Sequence, residues 1–243
     1  MTSISLAIIT FNERQNIIPL LNNVCDIFDE IVIVDGCSTD GTIALIEEYQ
    51  LKQGDNKVKL YLHPQKGERY SKHWNQPAQR NLALARCTKP WVFALDADER
   101  LDTDIRLKLE ELIKSNYEAF AMPTYHYWEK ETQIREDWSP DYHYRFWKNN
   151  NSVQYSSPRR HCTAIIKGYP DVRRIRGVQN RLPYTDIVIH HYHHVPISMR
   201  GNVYRTCYQD VETLTELVVD MKIKEVPLRK KGRKEEYNER GTV

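Results

Sequence analysis

Two aspartates, Asp96 and Asp98, stand two residues apart directly after a buried-looking apolar run, Trp91–Leu95. Carboxylates at such spacing past a strand can hold one hard divalent cation, or share it with a diphosphate. The plain alternative is a solvated acidic turn. Asp35 closes a second apolar run, Ile31–Val34, and is followed by Gly36. A carboxylate there can accept from a base N–H or a ribose hydroxyl, and the glycine lets the chain turn sharply. Asp40 in the same turn reads as a cap for the next helix. A third group, Thr10, Asn12 and Glu13, ends the first apolar run. Thr10 and Asn12 can hydrogen-bond a base, and Glu13 equally suits the first turn of a helix, where the dipole favours an acid. Arg80, near a helix start ahead of Asp96, can pair with a diphosphate or with a carboxylate.

These residues need strands to end beneath them. Ser5–Thr10, Glu30–Asp35, Val58–Leu62 and Trp91–Leu95 are short runs rich in β-branched residues, which predicts buried parallel strands. Between them, helical spacing is predicted over residues 13–27, from Thr42 to about Tyr49 with Ser38 or Thr39 as cap, and over Gln79–Arg86. Strand–helix alternation implies an α/β fold with a mostly parallel central sheet and helices on both faces. In such sheets ligands bind beyond the carboxyl ends of the strands, where Asp35, Asp96 and Asp98 fall. After about residue 115 the chain becomes rich in aromatic residues, then in arginine from Arg159 to Arg181, then in histidine from His190 to His194. Residues 197–222 show a helical apolar stripe.

The 243 residues suit one large domain, and the net charge of +2 argues against a dedicated nucleic-acid binder. Five cysteines with no C-x-x-C spacing suit reduced thiols in a cytoplasmic protein. The N-terminus lacks the pattern of a signal peptide, and no apolar run reaches the length of a membrane span. Two rival classes are a nucleotidyltransferase, which would carry a glycine-rich loop where Thr10–Arg14 has none, and a nucleic-acid-binding module built on Arg229–Lys234.

Four ordered segments, Thr10–Glu13, Asp35–Thr42, Gln79–Ala83 and Asp96–Glu99, resemble the motifs of family-2 glycosyltransferases with the GT-A fold. One departure is Gly36, where many members carry a second acid. The second half is similar to the bacterial lipopolysaccharide-core glucosyltransferase-like branch through Trp138–Phe146, Arg160–Cys162 and Val188–His190. The resemblance implies a single GT-A domain over residues 1–225, with a nucleotide-sugar half (1–102), an acceptor half (103–225) and a basic tail (226–243). It implies inverting transfer from a nucleotide sugar to a hydroxyl of an acceptor glycan, a lipid-linked glycan or another acceptor, with Mn2+ or Mg2+. Asp98 is then the expected metal ligand, with Asp96 on the metal or ribose and His190 as an added ligand. Thr10, Asn12, Glu13, Asp35 and Arg80 would hold the nucleotide and diphosphate, with Arg145 steadying the leaving group. Asp141 is the favoured general base, activated by desolvation, with Asp137 second. The protein is expected in the cytoplasm, peripheral at the inner membrane face and in contact with anionic lipid, with nucleic acid no natural partner.

Overall fold

The computed structural model describes residues 2–54, 56–66, 75–102, 104–128, 134, 140–155, 164–169, 183–194 and 224–225. Its elements run β1 (Ile4–Thr10), α1 (Ile17–Val24), β2 (Glu30–Asp35), α2 (Thr42–Gln53), β3 (Val58–Leu62), α3 (Gln76–Arg86) and β4 (Trp91–Asp96). There follow β5 (Glu99–Leu101), α4 (Ile105–Ile113), β6 (Ala119–Trp128), β7 (Asp141–Lys148), β8 (Val153–Tyr155) and β9 (Ala164–Ile166). The last are β10 (Pro183–Tyr184), β11 (Ile189–His194) and β12 (Lys224–Glu225).

One ten-stranded sheet carries the order β12-β10-β6-β7-β4-β1-β2-β3, with β11 pairing both β5 and β6. The β3-β2-β1-β4 half is parallel throughout. β7 enters antiparallel between β4 and β6, so the sheet is mixed beyond β4. β8 and β9 form a separate hairpin. The two halves expected from the sequence therefore share one sheet.

The apolar runs are apolar on both sides because both faces are covered. Ile4, Leu6 and Ile8 of β1 pack with Leu20, Leu21 and Val24 of α1, Ile46 of α2 and Leu109 of α4. Ala7 faces the other way, with Val32, Val34, Ala94 and Ala83 of α3. Small residues on that side let α3 lie close to the strands, which brings Arg80 to the sheet's edge. Leu20 and Leu21 are fully buried, and truncating either to alanine would cost about 2–5 kcal/mol.

Helix boundaries differ from the expectation. α1 covers Ile17–Val24 only, because Glu13 to Asn16 form a preceding turn in which the Glu13 carbonyl accepts from Asn16 N and Ile17 N. α2 is entered through Gly41 in the left-handed region (φ 99°), and Asp40 Oδ1 accepts from Thr42 N at 3.0 Å and Thr42 Oγ1 at 2.5 Å. Asp40 thus caps α2 as expected of it, while Ser38 Oγ and Thr39 N, the other candidates, are engaged across the loop with Asn12. The expected helix over 197–222 and the tail 226–243 lie outside the described residues.

Candidate active site

β1, β2 and β4 end side by side at Thr10, Asp35 and Asp96. Two loops leave this edge and lock onto each other. Asn12 N donates to Ser38 Oγ at 2.8 Å, and Asn12 Oδ1 accepts from Thr39 N at 2.9 Å. Asn12 holds a left-handed conformation (φ 56°) that asparagine tolerates better than most residues. Glu13 N donates to Thr42 Oγ1, Glu13 Oε2 accepts from Asn16 Nδ2, and Arg14 N donates to Asp40 Oδ2. Asn12 and Glu13 are thus loop-fixing residues here.

Asp35 is fully buried, with Oδ1 accepting from Ser38 N and Oδ2 from Ser38 Oγ, each at 2.7 Å. Burial pushes its pKa above the usual aspartate value despite those bonds. The backbone N–H of Cys37 also donates to this carboxylate. Thr10 is buried at 4% exposure, and its Oγ1 has no hydrogen-bond partner among the described residues. Native structures rarely leave such a hydroxyl unmet, so water or a ligand group is its natural partner. Gly36 is required by space: a Cβ there would lie 2.7 Å from Phe11 Cδ2.

The acid turn sits one strand away. Asp96 is partly exposed and is gripped by Arg80 Nη2, at 2.6 Å from Oδ1 and 2.9 Å from Oδ2. The Arg80 guanidinium lies 5.4 Å over the Tyr155 ring. Burial works against the charge on Asp96, but Arg80 and Arg145 outweigh it and hold the pKa below the usual value. Arg80 therefore meets a carboxylate of the site rather than one of the surface. Arg145 Nη2 donates to Glu99 Oε1 at 2.5 Å, and Glu99 Oε2 accepts from Asp96 N at 2.8 Å. Burial raises the Glu99 pKa even with Arg145 beside it.

Arg145 reaches Glu99 because of an irregularity in β7. Tyr144 pairs with Ala121 and Phe146 with Phe120, so Arg145 is the unpaired extra residue of a bulge. Bulges re-aim side chains in this way.

Asp98 and His191 form the remaining pair, with His191 Nε2 3.4 Å from Asp98 Oδ2. β11 delivers the histidine: His191 is in register with Glu99, and Tyr192 N donates to the Asp98 carbonyl at 3.0 Å. Burial opposes the imidazolium, but Asp98, then Glu99 and Asp96, raise the His191 pKa to about 9.

The structure corrects the assignment of His190. Successive residues of a strand point to opposite faces, and His190 turns away from the acids. Its Nδ1 shares a hydrogen bond with Tyr127 Oη at 2.7 Å, and its Nε2 lies 3.2 Å from Asp102 Oδ1. Both ring nitrogens are engaged there, so His190 is a buried structural histidine and His191 is the one beside Asp98. Strand alternation was the signal that separated the two.

Asp141 also departs from expectation. It opens β7 at the same edge of the sheet, exposed, 2.8 Å from His143 Nε2. Burial raises its pKa, but His143 first, then His126 and Arg145, bring it below the usual value. The expected desolvation does not win, because two imidazoles and a guanidinium face the acid. Asp137, Trp138 and Arg160–Cys162 lie outside the described residues.

Among the described residues no group of three or more acids, histidines or cysteines converges as a complete metal cage. Asp98 offers the hard carboxylate oxygen that Mn2+ and Mg2+ prefer, and His191 beside it offers an imidazole nitrogen, a softer ligand that suits Mg2+ least.

The molecule thus has an α/β architecture with two interlocked loops and a paired-acid turn at one edge of a mixed sheet. Residues 5–169 match Glycosyl transferase family 2, and the chain belongs to that family. It is similar to the lipopolysaccharide core biosynthesis glycosyltransferase LpsC of Rhizobium meliloti (strain 1021), with 39% identity over 89 residues, covering 37% of this chain and 29% of that protein. An uncharacterized glycosyltransferase of Rickettsia felis shows 31% identity over 116 residues, covering 48% of this chain and 36% of its own length. The matched segments thus span about a third of these relatives. Among solved structures, S. aureus TarS 1-349 in complex with UDP-GlcNAc aligns with a TM-score of 0.43 at 18% identity, covering 65% of this chain and 51% of that one. No described helix is long and apolar enough to cross a membrane, which leaves β-barrels unaddressed.

Proposed function

We propose that the protein transfers a sugar, with inversion, from a nucleoside-diphosphate sugar to a hydroxyl of an envelope glycan or lipid-linked glycan. The observation that carries this reading is the Asp98–His191 pair standing beyond β4, one strand from Thr10 on β1 and two from Asp35 on β2, within a family-2 domain. Thr10 Oγ1 and the Asp35 carboxylate receive the nucleoside. Arg80 and Asp96 form a dipolar pair at the diphosphate, where the guanidinium keeps its place without moving during reaction. Asp98 and His191 would hold a divalent cation, whose contribution is to neutralise charge on the departing diphosphate. Arg145 serves the site through Glu99, by keeping the acid turn in place, rather than by the direct contact with the leaving group expected for it. Asp141 is the described candidate for the base. Its exposure lets an acceptor hydroxyl approach, and its lowered pKa makes it a weaker proton acceptor than desolvation would have given.

The similarity to a lipopolysaccharide-core enzyme motivates an envelope acceptor. It also favours a cytoplasmic place, peripheral at the inner membrane face and against anionic lipid. The test is release of nucleoside diphosphate from a panel of nucleotide sugars with Mn2+ or Mg2+. At least one donor should turn over, faster when acceptor glycan is added. A panel with no donor bound or hydrolysed would defeat the proposal.

A further inference from the structure

His191 has a second partner that the proposed reaction does not use. Its Nδ1 lies 2.9 Å from Nδ1 of His126, its register partner on β6. The rings meet edge to face, with centroids 4.9 Å apart and planes at 64°. Two imidazole nitrogens at that distance share one proton: one donates and the other accepts. Nε2 of His191 faces Asp98. If that nitrogen gives its lone pair to a cation held with Asp98, the remaining ring proton must sit on Nδ1. Nδ1 then donates, and His126 Nδ1 accepts.

We infer that His126 is a positioning residue for the divalent cation. It does not touch the ion. By accepting from His191 Nδ1–H it selects the tautomer whose Nε2 lone pair points at the acid turn, and it sets the plane of the ring. The inference rests on the proposed metal reading of Asp98 and His191. Histidines that bind metals are ordinarily anchored through their other nitrogen by a carboxylate, a backbone carbonyl or water. Here an imidazole takes that place, fixed by strand pairing between β6 and β11 rather than by a loop.

Two substitutions separate this role from packing. His126→Phe keeps an aromatic ring but offers no acceptor. His126→Asn can place a carbonyl oxygen where Nδ1 stood. The measurement is Mn2+ binding to the full chain, read from the electron paramagnetic resonance of the free ion, for wild type, both variants and Asp98→Asn. Thermal melts without metal verify that each variant is folded. His126→Phe should weaken Mn2+ binding by about 10- to 100-fold, while His126→Asn should stay within about threefold of wild type. Wild-type affinity in His126→Phe overturns the inference, as does His126→Asn binding as weakly as His126→Phe. In either case a weakened Asp98→Asn leaves the metal reading standing. Unweakened Asp98→Asn, or a wild type that binds no Mn2+, overturns the metal reading and this inference together.

Discussion

Glu30 opens β2 at the edge opposite the site, and its side chain is buried at 2% exposure. Four groups donate to it. Ser5 Oγ and Thr88 N reach Oε2 at 2.5 and 2.7 Å, and Lys59 Nζ and Thr88 Oγ1 reach Oε1 at 2.6 and 2.8 Å. Burial pushes its pKa up, but these donors win and bring it from 4.5 to about 2. At roughly 1.4 kcal/mol per pH unit, that drop corresponds to about 3 kcal/mol of stability for the charged form. A lowered folded-state pKa means the stability is fully present above about 4.5 and fades as pH falls toward about 2. Glu30→Gln keeps the shape but turns one acceptor oxygen into an amide facing donors. It should lose about 2–4 kcal/mol at pH 7, combining the lost charge with unmet buried donors. Urea denaturation of both proteins from pH 7 to pH 3 measures the difference. The gap should narrow steadily below pH 5. Equal stability at pH 7, or a gap that does not change with pH, would refute the reasoning.

Other outcomes follow from the site. Gly36→Ala should lower stability by about 1–2 kcal/mol through the clash with Phe11, and much of the loss should disappear in a Phe11→Ala background, as thermal melts would show. His191→Ala should reduce Mn2+ affinity far more than His190→Ala, while His190→Ala should lower the melting temperature more, since it leaves Tyr127 and Asp102 without their partner. Asp141→Asn should reduce transfer while leaving donor affinity by calorimetry near wild type, and Asp137→Asn should retain much of the rate; the reverse ranking assigns the base to Asp137.

The parallel half of the sheet was readable because β1, β2 and β4 are continuous apolar runs that only a doubly covered strand explains. Three of the motif segments, Thr10–Glu13, Asp35–Thr42 and Asp96–Glu99, follow the carboxyl ends of those strands, and the fourth, Gln79–Ala83, lies in α3. What was not readable depends on contacts distant in sequence. Glu99 meets Arg145 only through a bulge that no local pattern announces. A run of histidines does not reveal which of them faces a strand that precedes it by about ninety residues, and only the strand register shows that His191, not His190, lies beside Asp98. The Asp141 environment is set by His126 and His143, on two strands whose pairing the sequence does not display. Asp40 caps α2, as its place in the turn suggested, while Ser38 and Thr39, the other candidates, serve the neighbouring loop instead.

Asp98 is the residue through which nucleotide-sugar turnover should depend on a divalent metal. With the donor selected from the panel, nucleoside diphosphate release should be measured for wild type with Mn2+, wild type in excess chelator, and Asp98→Asn with Mn2+. Chelator and substitution should each reduce turnover by orders of magnitude, with the melting temperature of Asp98→Asn close to wild type. Full turnover in chelator, or in folded Asp98→Asn, would contradict metal-dependent turnover through Asp98.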